Sequence, residues 1–223
     1  MDLREYPDRE MLFIQLADRI AGELKETLLT HDRASLCVPG GTTPGPVFDI
    51  LSDVDLSWDR IDVLLNDERW VPETSERSNT ALLRRRLLTG RARAAHLVPL
   101  YADAPTPEDA LDDLSTGVEA ALPLSVLLLG MGTDMHTASL FPGADQLAEA
   151  LSPSAPVLLA MRAPGAPEPR VTLTARVLRA ALKAHLLIVG DTKRDALEKA
   201  RRISPTEAPV AAVLGDAVVH WAP

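Results

Sequence analysis

The stretch Leu127-Leu-Leu-Gly-Met-Gly-Thr-Asp-Met-His-Thr-Ala-Ser-Leu-Phe-Pro-Gly143 decides the fold class, because an apolar run gives way abruptly to glycines and then to Asp134 and His136. A short, uninterrupted apolar run is typical of a parallel strand that is covered on both faces. Gly130 and Gly132 let the backbone turn sharply or approach a ligand closely. Ligands of open α/β sheets bind at the carboxyl ends of such strands. The stretch therefore predicts a buried parallel strand that delivers a functional loop.

Strand-like and helix-like segments alternate along almost the whole chain. Apolar runs predict strands at residues 34–38, 61–65, 96–100, 126–129, 157–161, 185–189 and 218–221. Helical spacing or turn signals predict helices at residues 8–29, 80–88, 107–122, 174–182 and 192–201, with another through Phe48 and Leu51. This alternation predicts an α/β fold with a mainly parallel sheet and helices on both faces. With 223 residues and no visible linker or repeat, we expect one domain, 1–223.

The balance of charges limits the classes of partner. The formal net charge of −9 disfavours a general affinity for nucleic acid or for an anionic membrane, since both require a basic surface. An anionic small molecule remains compatible with this charge, because salt screens exposed charges beyond about 8–10 Å and a few local cations can dominate one cleft. We therefore expect a small-molecule partner; the oligomeric state stays open.

The single cysteine and the N-terminal segment set further expectations. Cys37 cannot form an internal disulfide, and it ends an apolar run, which favours a buried core residue over a nucleophile. No Cys/His cluster has the spacing of a zinc site. The N-terminal segment contains early acidic residues and no uninterrupted apolar run, so we expect no signal peptide, no membrane span and a cytoplasmic location.

Four polar loops follow predicted strands or precede predicted helices, and the first is glycine-rich. In Gly40-Gly41-Thr42-Thr43, the glycines free backbone N–H groups to approach an anion, and the threonine hydroxyls add donors at a helix start. The alternative is a simple turn. The lysine of a nucleotide-binding P-loop is missing, so ATP is not implied.

The other three loops carry permanent or near-permanent cations. Asp67-Glu68-Arg69 comes directly after a strand, Arg170 follows a proline-rich loop, and Lys193 stands near the start of a helix. A cation at a helix start suits a phosphate group. Each cation has a plainer interpretation as a solvated side chain or a weak surface ion pair.

His136 and Asp134 also have two interpretations, either catalytic groups or partners in loop hydrogen bonds. Ser139 lies near His136, but nothing resembling a nucleophile elbow surrounds it, so we interpret it as structural. A neutral histidine is suited to deprotonating water near neutral pH.

Five motifs together carry a family resemblance. They are Pro39-Gly-Gly-Thr-Thr-Pro44, Asn66-Asp-Glu-Arg-Trp-Val-Pro72 with Ser78-Asn79, Gly130-Met-Gly-Thr-Asp-Met-His-Thr-Ala-Ser-Leu-Phe-Pro142, Arg170-Val-Thr-Leu-Thr174 and Gly190-Asp-Thr-Lys193. In this order they resemble the 6-phosphogluconolactonase family. The third motif is the most specific of the five.

The resemblance implies hydrolysis of 6-phosphoglucono-δ-lactone to 6-phosphogluconate in the oxidative pentose phosphate pathway, without metal or cofactor. It implies a Rossmann-like fold shared with glucosamine-6-phosphate deaminase and ribose-5-phosphate isomerase. Carried over by motif, His136 is the general base and Asp134 supports it, while Asp67 matches a carboxylate that abstracts a proton in the deaminases. The same resemblance implies that Arg69 contacts the substrate or its phosphate. It also implies that the phosphate is bound by Gly40, Gly41, Thr42, Arg170 and Lys193.

Two positions depart from the family pattern. Met135 stands where the family usually has glycine, so a positive φ at this position would strain the chain and alter the loop or its activity. Pro39 stands where serine is common, which removes a hydroxyl and an N–H that would otherwise reach phosphate.

Two alternatives to a lactonase remain. A glucosamine-6-phosphate deaminase would need an acid for ring opening, and its relatives carry Glu at the position of Phe141. A non-catalytic phosphosugar-binding module is the second alternative. A DNA-binding regulator is disfavoured, because the residues before the strand at 34–38 form one amphipathic helix and leave no room for a helix-turn-helix.

Overall fold

The computed structural model describes residues 1–215 and 217–223. Its strands are β1 (Asp2–Glu5), β2 (Ala34–Val38), β3 (Ile61–Leu65), β4 (Asp67–Arg69), β5 (His96–Val98), β6 (Val126–Gly130), β7 (Leu158–Met161), β8 (Arg170–Leu173), β9 (Lys183–Val189) and β10 (Val218–Ala222). Its α-helices are α1 (Arg9–Thr30), α2 (Gly45–Ser52), α3 (Asn79–Arg86), α4 (Leu111–Glu119), α5 (Leu147–Leu151), α6 (Ala175–Arg179), α7 (Asp191–Ala200) and α8 (Ala211–Leu214).

A seven-stranded sheet with the order β1-β10-β9-β6-β2-β3-β5 forms the centre of the fold, and all its strand pairs are parallel. The chain runs from β2 outwards through β3 and β5, and then returns to β6 on the other side of β2. Strand order therefore reverses between β2 and β6. Such a reversal opens a crevice at the carboxyl ends of the strands, where α/β proteins bind their ligands.

Helices cover both faces of this sheet. Every residue of β2 and of β3 is buried, and successive side chains of a strand point to opposite faces, so neither face is open to solvent. The longest helix, α1, begins where the Asp8 side chain accepts the N–H of Met11 at 2.8 Å, and it buries a stripe of side chains that includes Leu12, Leu16 and Leu24. The predicted α/β architecture is confirmed.

Short elements differ from the sequence predictions. The segments after β3 and before α6 were expected to be loops, but β4 and β8 pair there and form a second, antiparallel sheet with β7. The predicted helix at 107–122 is a 3₁₀ turn at Pro107–Ala110 followed by α4. The edge strand β1 was not predicted. Among the described residues, no helix combines the length and the apolar character needed to cross a membrane.

Candidate active site

Loops from four adjacent strands surround a cavity of about 300 Å³ at the carboxyl end of the large sheet. Residues after β2, β3, β6 and β9 face one another there, because these strands are parallel neighbours. The residues that line the cavity are Pro39, Gly40, Gly41, Thr42, Thr43, Pro44, Asn66, Asp67, Arg69, Asn79, Leu129, Gly130, Met131, Gly132, His136, Ala138, Arg170, Leu187 and Lys193. The cavity therefore collects polar groups that are far apart in sequence.

His136 lies on the cavity wall, and its ring is oriented by Asp134. The Nδ1 atom of His136 lies 2.5 Å from Oδ1 of Asp134, which also accepts the backbone N–H of His136 at 3.2 Å. Because a carboxylate only accepts hydrogen bonds, the proton of a neutral ring resides on Nδ1, and Nε2 carries the lone pair. The hydrogen bond from His136 lowers the pKa of Asp134, which keeps this carboxylate charged near neutral pH.

The backbone of this loop adopts a conformation that its sequence does not favour. Met135 has a φ of 67° and Ala138 a φ of 50°, both in the left-handed region. The N–H of Met135 donates to the carbonyl of Gly132 at 3.0 Å, and the carbonyl of Met135 accepts the N–H of Val210 at 3.1 Å. Met135 thus occupies the conformation that glycine adopts more easily, while the bond between His136 and Asp134 is still formed.

The glycine-rich loop after β2 presents backbone donors. Among the described residues, no N–H from Gly40 to Thr43 donates to a backbone carbonyl, and α2 begins just beyond them at Gly45. Gly41 has a φ of 85°, which the turn requires. Free N–H groups at a helix start form an anion-binding corner.

Gly40 also has a packing role that the sequence pattern did not indicate. A Cβ atom on Gly40 would lie 2.0 Å from Oδ1 of Asn79, so the side chain of Asn79 occupies this space. The Nδ2 atom of Asn79 donates to the carbonyl of Asp67 at 3.0 Å. Asn79 therefore connects the glycine-rich loop to the segment after β3.

Asp67 and Arg170 form a buried pair that also lines the cavity. The NH1 atom of Arg170 lies 3.7 Å from Oδ2 of Asp67, and both side chains are 9% exposed. The same Oδ2 accepts a hydrogen bond from Oγ of Ser139 at 2.5 Å. The guanidinium of Arg170 also lies over the ring of Phe141, 5.7 Å from its centroid. Desolvation lowers the pKa of Arg170, and the charge of Asp67 opposes this effect.

Glu68 fixes the segment that carries Asp67 and Arg69. Its fully buried carboxylate accepts the N–H groups of Arg69, Asn79 and Thr80 at 2.7–2.8 Å. Because these donors include the first N–H groups of α3, Glu68 caps that helix and joins it to β4. The carboxylate of Glu68 is thus occupied by structural bonds.

The cavity is locally cationic although the chain carries a net charge of −9. Arg69, Arg170 and Lys193 line it together with a single carboxylate, that of Asp67. Burial lowers the pKa of Lys193, and the nearby charge of Asp134 opposes this effect. Such a local excess of positive charge attracts a small anion.

Three buried side-chain atoms have no hydrogen-bond partner among the described residues. They are Oδ1 of Asn66, Nε of Arg69 and Nε of Arg170, and all three residues line the cavity. Buried polar atoms are nearly always paired in folded proteins. Their concentration around one cavity indicates a site that a polar ligand or water completes.

Eight of the nine site residues predicted from the sequence line this cavity. The ninth, Asp134, does not line it but accepts a hydrogen bond from Nδ1 of His136. Asn66 and Asn79 line the cavity but were not nominated, although both stand in the quoted motifs. Ser139 is buried, as expected for a structural residue, but its bond to Asp67 was not foreseen. Cys37 is fully buried, and burial raises the pKa of its thiol well above the usual value, which agrees with a core residue.

Comparison with known proteins agrees with these observations. A family model described as glucosamine-6-phosphate isomerases/6-phosphogluconolactonase matches residues 7–221. A 6-phosphogluconolactonase from Mesorhizobium japonicum is 44% identical, and the match covers 98% of this chain and 94% of the relative.

Solved structures show the same fold. The crystal structure of a 6-phosphogluconolactonase from Shewanella baltica has a TM-score of 0.96 and 32% identity, with 100% of this chain and 98% of that chain covered. A monomeric glucosamine-6-phosphate deaminase has a TM-score of 0.78 and 18% identity, with 100% of this chain and 97% of that chain covered. At this identity the match shows a shared fold alone.

Proposed function

The chain belongs to the glucosamine-6-phosphate isomerase/6-phosphogluconolactonase family, and from this premise we propose that it hydrolyses 6-phospho-D-glucono-1,5-lactone to 6-phospho-D-gluconate. This reaction belongs to the oxidative pentose phosphate pathway. The observation that carries the proposal is the 2.5 Å contact between Nδ1 of His136 and Oδ1 of Asp134, in a cavity lined by three cations. The histidine with its carboxylate partner suits a base that activates water, and the three cations suit an anionic substrate.

His136 acts as the general base in the proposed mechanism. Its Nε2 atom takes a proton from water as the oxygen attacks the lactone carbonyl, and Asp134 stabilises the imidazolium that forms. The bond between the carbonyl carbon and the ring oxygen then breaks, and the imidazolium of His136 returns its proton to the ring oxygen, which becomes a hydroxyl. The new carboxylic acid releases its proton to give the carboxylate of the product. Water is the nucleophile, so no covalent intermediate forms, and because His136 activates this water the proposed mechanism uses no metal or cofactor.

The phosphate of the substrate binds away from the reacting carbonyl. The N–H groups of Gly40, Gly41 and Thr42 supply neutral donors, while Arg170 and Lys193 supply charge. Arg69 contacts the substrate or its phosphate from the same side as Asp67. Binding energy from this remote group positions the lactone for attack.

Asp67 faces the substrate, and its role differs from that of His136. Its Oδ2 atom is occupied by Ser139 and lies near Arg170, so Oδ1 is the atom left for a ligand. We propose that Oδ1 accepts a hydrogen bond from a sugar hydroxyl and so orients the ring. In this role Asp67 needs no proton transfer.

One contact of His136 favours a lactonase over a deaminase. The ring of Phe141 packs 4.3 Å from the ring of His136, centroid to centroid, at the position where the deaminases carry an acid. An apolar ring there can neither donate a proton to a sugar ring oxygen nor accept one. The charged substrate would not cross a membrane unaided, and we therefore propose a cytoplasmic location. We also propose one domain, 1–223, and, from the net charge of −9, no nucleic-acid or membrane partner.

The test is a continuous assay of the full chain with freshly generated 6-phosphogluconolactone, corrected for spontaneous hydrolysis. We expect turnover well above background, and a loss of about 10²–10⁴-fold in His136→Ala, the usual cost of removing a general base. His31→Ala, at the exposed end of α1, is the matched control and should keep full activity. Wild-type turnover equal to background would favour a phosphosugar-binding module, and ammonia release from glucosamine 6-phosphate would favour a deaminase.

A further inference from the structure

Ser139 lies in the same loop as His136, but its side chain bonds a residue of the strand β4. Its hydroxyl oxygen lies 2.5 Å from Oδ2 of Asp67, a residue 72 positions away in sequence. Both residues are buried, with Ser139 0% exposed and Asp67 6% exposed. A short hydrogen bond to a carboxylate in such surroundings is stronger than one between neutral groups.

The backbone of Ser139 is anchored as firmly as its side chain. Its N–H donates to Oγ1 of Thr172 at 3.2 Å, and that hydroxyl in turn donates to the carbonyl of Leu173 at 3.1 Å. Thr172 belongs to β8, which pairs with β4 and places Thr172 opposite Asp67. The serine is thus attached to the small sheet at two points, and its hydroxyl has one direction in which to donate.

This geometry is that of a donor to Asp67 and not of a nucleophile. A carboxylate can only accept a hydrogen bond, so the serine proton lies between its oxygen and Oδ2 of Asp67. The oxygen of a nucleophilic serine would instead face a base and the cavity. Ser139 does not line the cavity, whereas His136 and Asp67 do.

We propose that Ser139 is a positioning residue that holds the Asp67 carboxylate by Oδ2 and thereby presents Oδ1 to the substrate. Arg170 contributes charge on the same oxygen from 3.7 Å, but Ser139 makes the directional bond. Because the loop of His136 carries this serine, one segment sets both the base and the substrate-orienting carboxylate. The inference rests on the proposed function and extends it to a residue that does not touch the substrate.

The test is a double-mutant cycle of Ser139→Ala and Asp67→Ala in the lactonase assay. Ser139→Ala in the wild-type background should lower kcat/KM about 10–100-fold, the range expected for a lost bond to a charged group. In the Asp67→Ala background the same change should cost less than about twofold, because the acceptor that Ser139 holds is gone. Equal losses in the two backgrounds would show a purely structural role and overturn the inference.

Two further variants separate positioning from folding. Ser139→Cys keeps a weaker donor at nearly the same volume and should recover part of the activity lost in Ser139→Ala; it replaces the alanine variant in the cycle if that variant does not fold. Ser125→Ala removes another buried serine, which bonds Ser35 at the far end of β6, and should leave kcat/KM unchanged.

The outcomes distinguish this inference from the function itself. Full activity in Ser139→Ala, with wild-type turnover above background, overturns the positioning role and leaves the proposed function intact. Background turnover of the wild type overturns the function, and the same cycle in the Kd of 6-phosphogluconate then decides whether the two residues are coupled. Additive effects on that Kd would overturn the inference there too.

Discussion

A Cβ atom on Gly132 would lie 2.3 Å from Nδ1 of His136, and 2.4 Å from Oδ1 of Asp134. The imidazole and the carboxylate that orients it therefore use the space directly above this glycine. Gly132 is required for close approach and not for an unusual turn. The hydrogen-bonded pair can form only because this position has no side chain.

Gly132→Ala should therefore reduce kcat by roughly the 10²–10⁴-fold expected for loss of the base, because the new methyl group displaces the ring of His136. The matched control is Gly117→Ala in α4, away from the cavity, where a Cβ atom would lie 3.7 Å from Cγ1 of Val98, an ordinary contact. Steady-state kinetics on both variants decide the matter. Retention of activity in Gly132→Ala would mean that the ring of His136 does not need its observed position.

Met135→Gly tests whether the departure from the family pattern impairs the loop. The left-handed backbone of Met135 costs roughly 1–2 kcal/mol, but burial of its side chain, 8% exposed, contributes about 1.5–3 kcal/mol. We expect kcat within about threefold of wild type, and a free energy of unfolding that falls by no more than about 2 kcal/mol in urea titrations. A large gain in kcat would show that methionine does distort the site.

The large sheet, apart from its edge strand β1, was predictable from sequence, because its other strands contain apolar runs, and the central ones end in polar or glycine-rich loops. The residues 126–129 and the position of His136 after them illustrate this rule. Of the small sheet, only β7 was predictable, as the strand expected at 157–161, since β4 has three residues, contains two acids and shows no alternation. The bond from Ser139 to Asp67 was also invisible, because no local pattern reports a contact formed when β4 and β8 pair.

Removal of metal ions should leave the activity unchanged. Within the described residues, no three His, Cys, Asp or Glu side chains are grouped closely enough to hold a metal ion. Nδ1 of His136 is already bonded to Asp134, which leaves one ring nitrogen for the water. The check is the lactonase rate after exhaustive dialysis against a chelator; a rate that disappears and returns only with one added metal would contradict the mechanism.

A buried chain of hydrogen bonds away from the cavity should make stability depend on pH. The hydroxyl of Tyr6 lies 2.7 Å from Nδ1 of His220, whose Nε2 lies 3.0 Å from Nδ1 of His185, and that ring reaches Glu23 at 2.7 Å. With both rings neutral, the hydroxyl of Tyr6 donates to His220, the Nε2–H of His220 donates to His185, and the Nε2–H of His185 donates to Glu23. Burial, with smaller effects of His185, Arg19 and Arg4, lowers the pKa of His220 to about 3.

The unfolded chain therefore binds a proton at this position more readily than the folded chain, with a pKa near 6.5 against about 3. The contribution of His220 is complete above pH 6.5 and is lost as the pH falls from 6.5 towards 3. Between pH 7 and 5 the free energy of unfolding should fall by on the order of 1–2 kcal/mol from this group. Urea titrations should show a smaller pH effect in His220→Gln, and an unchanged one in His31→Gln; equal pH slopes in wild type and His220→Gln would reject the assignment.

Selectivity for a phosphorylated substrate should depend on Lys193 and Arg170, because charge-assisted bonds to a phosphate favour only the lactone that carries one. Lys193→Ala should lower kcat/KM on 6-phosphogluconolactone by at least about tenfold, yet leave the much slower hydrolysis of unphosphorylated gluconolactone nearly unchanged. Arg170→Ala should show the same preference with some general loss, since Arg170 also supports Asp67. Lys199→Ala, exposed on the same helix α7, controls for surface charge. Losses of equal proportion on the two lactones would mean that these cations support the fold or the reacting groups, and that the phosphate binds elsewhere.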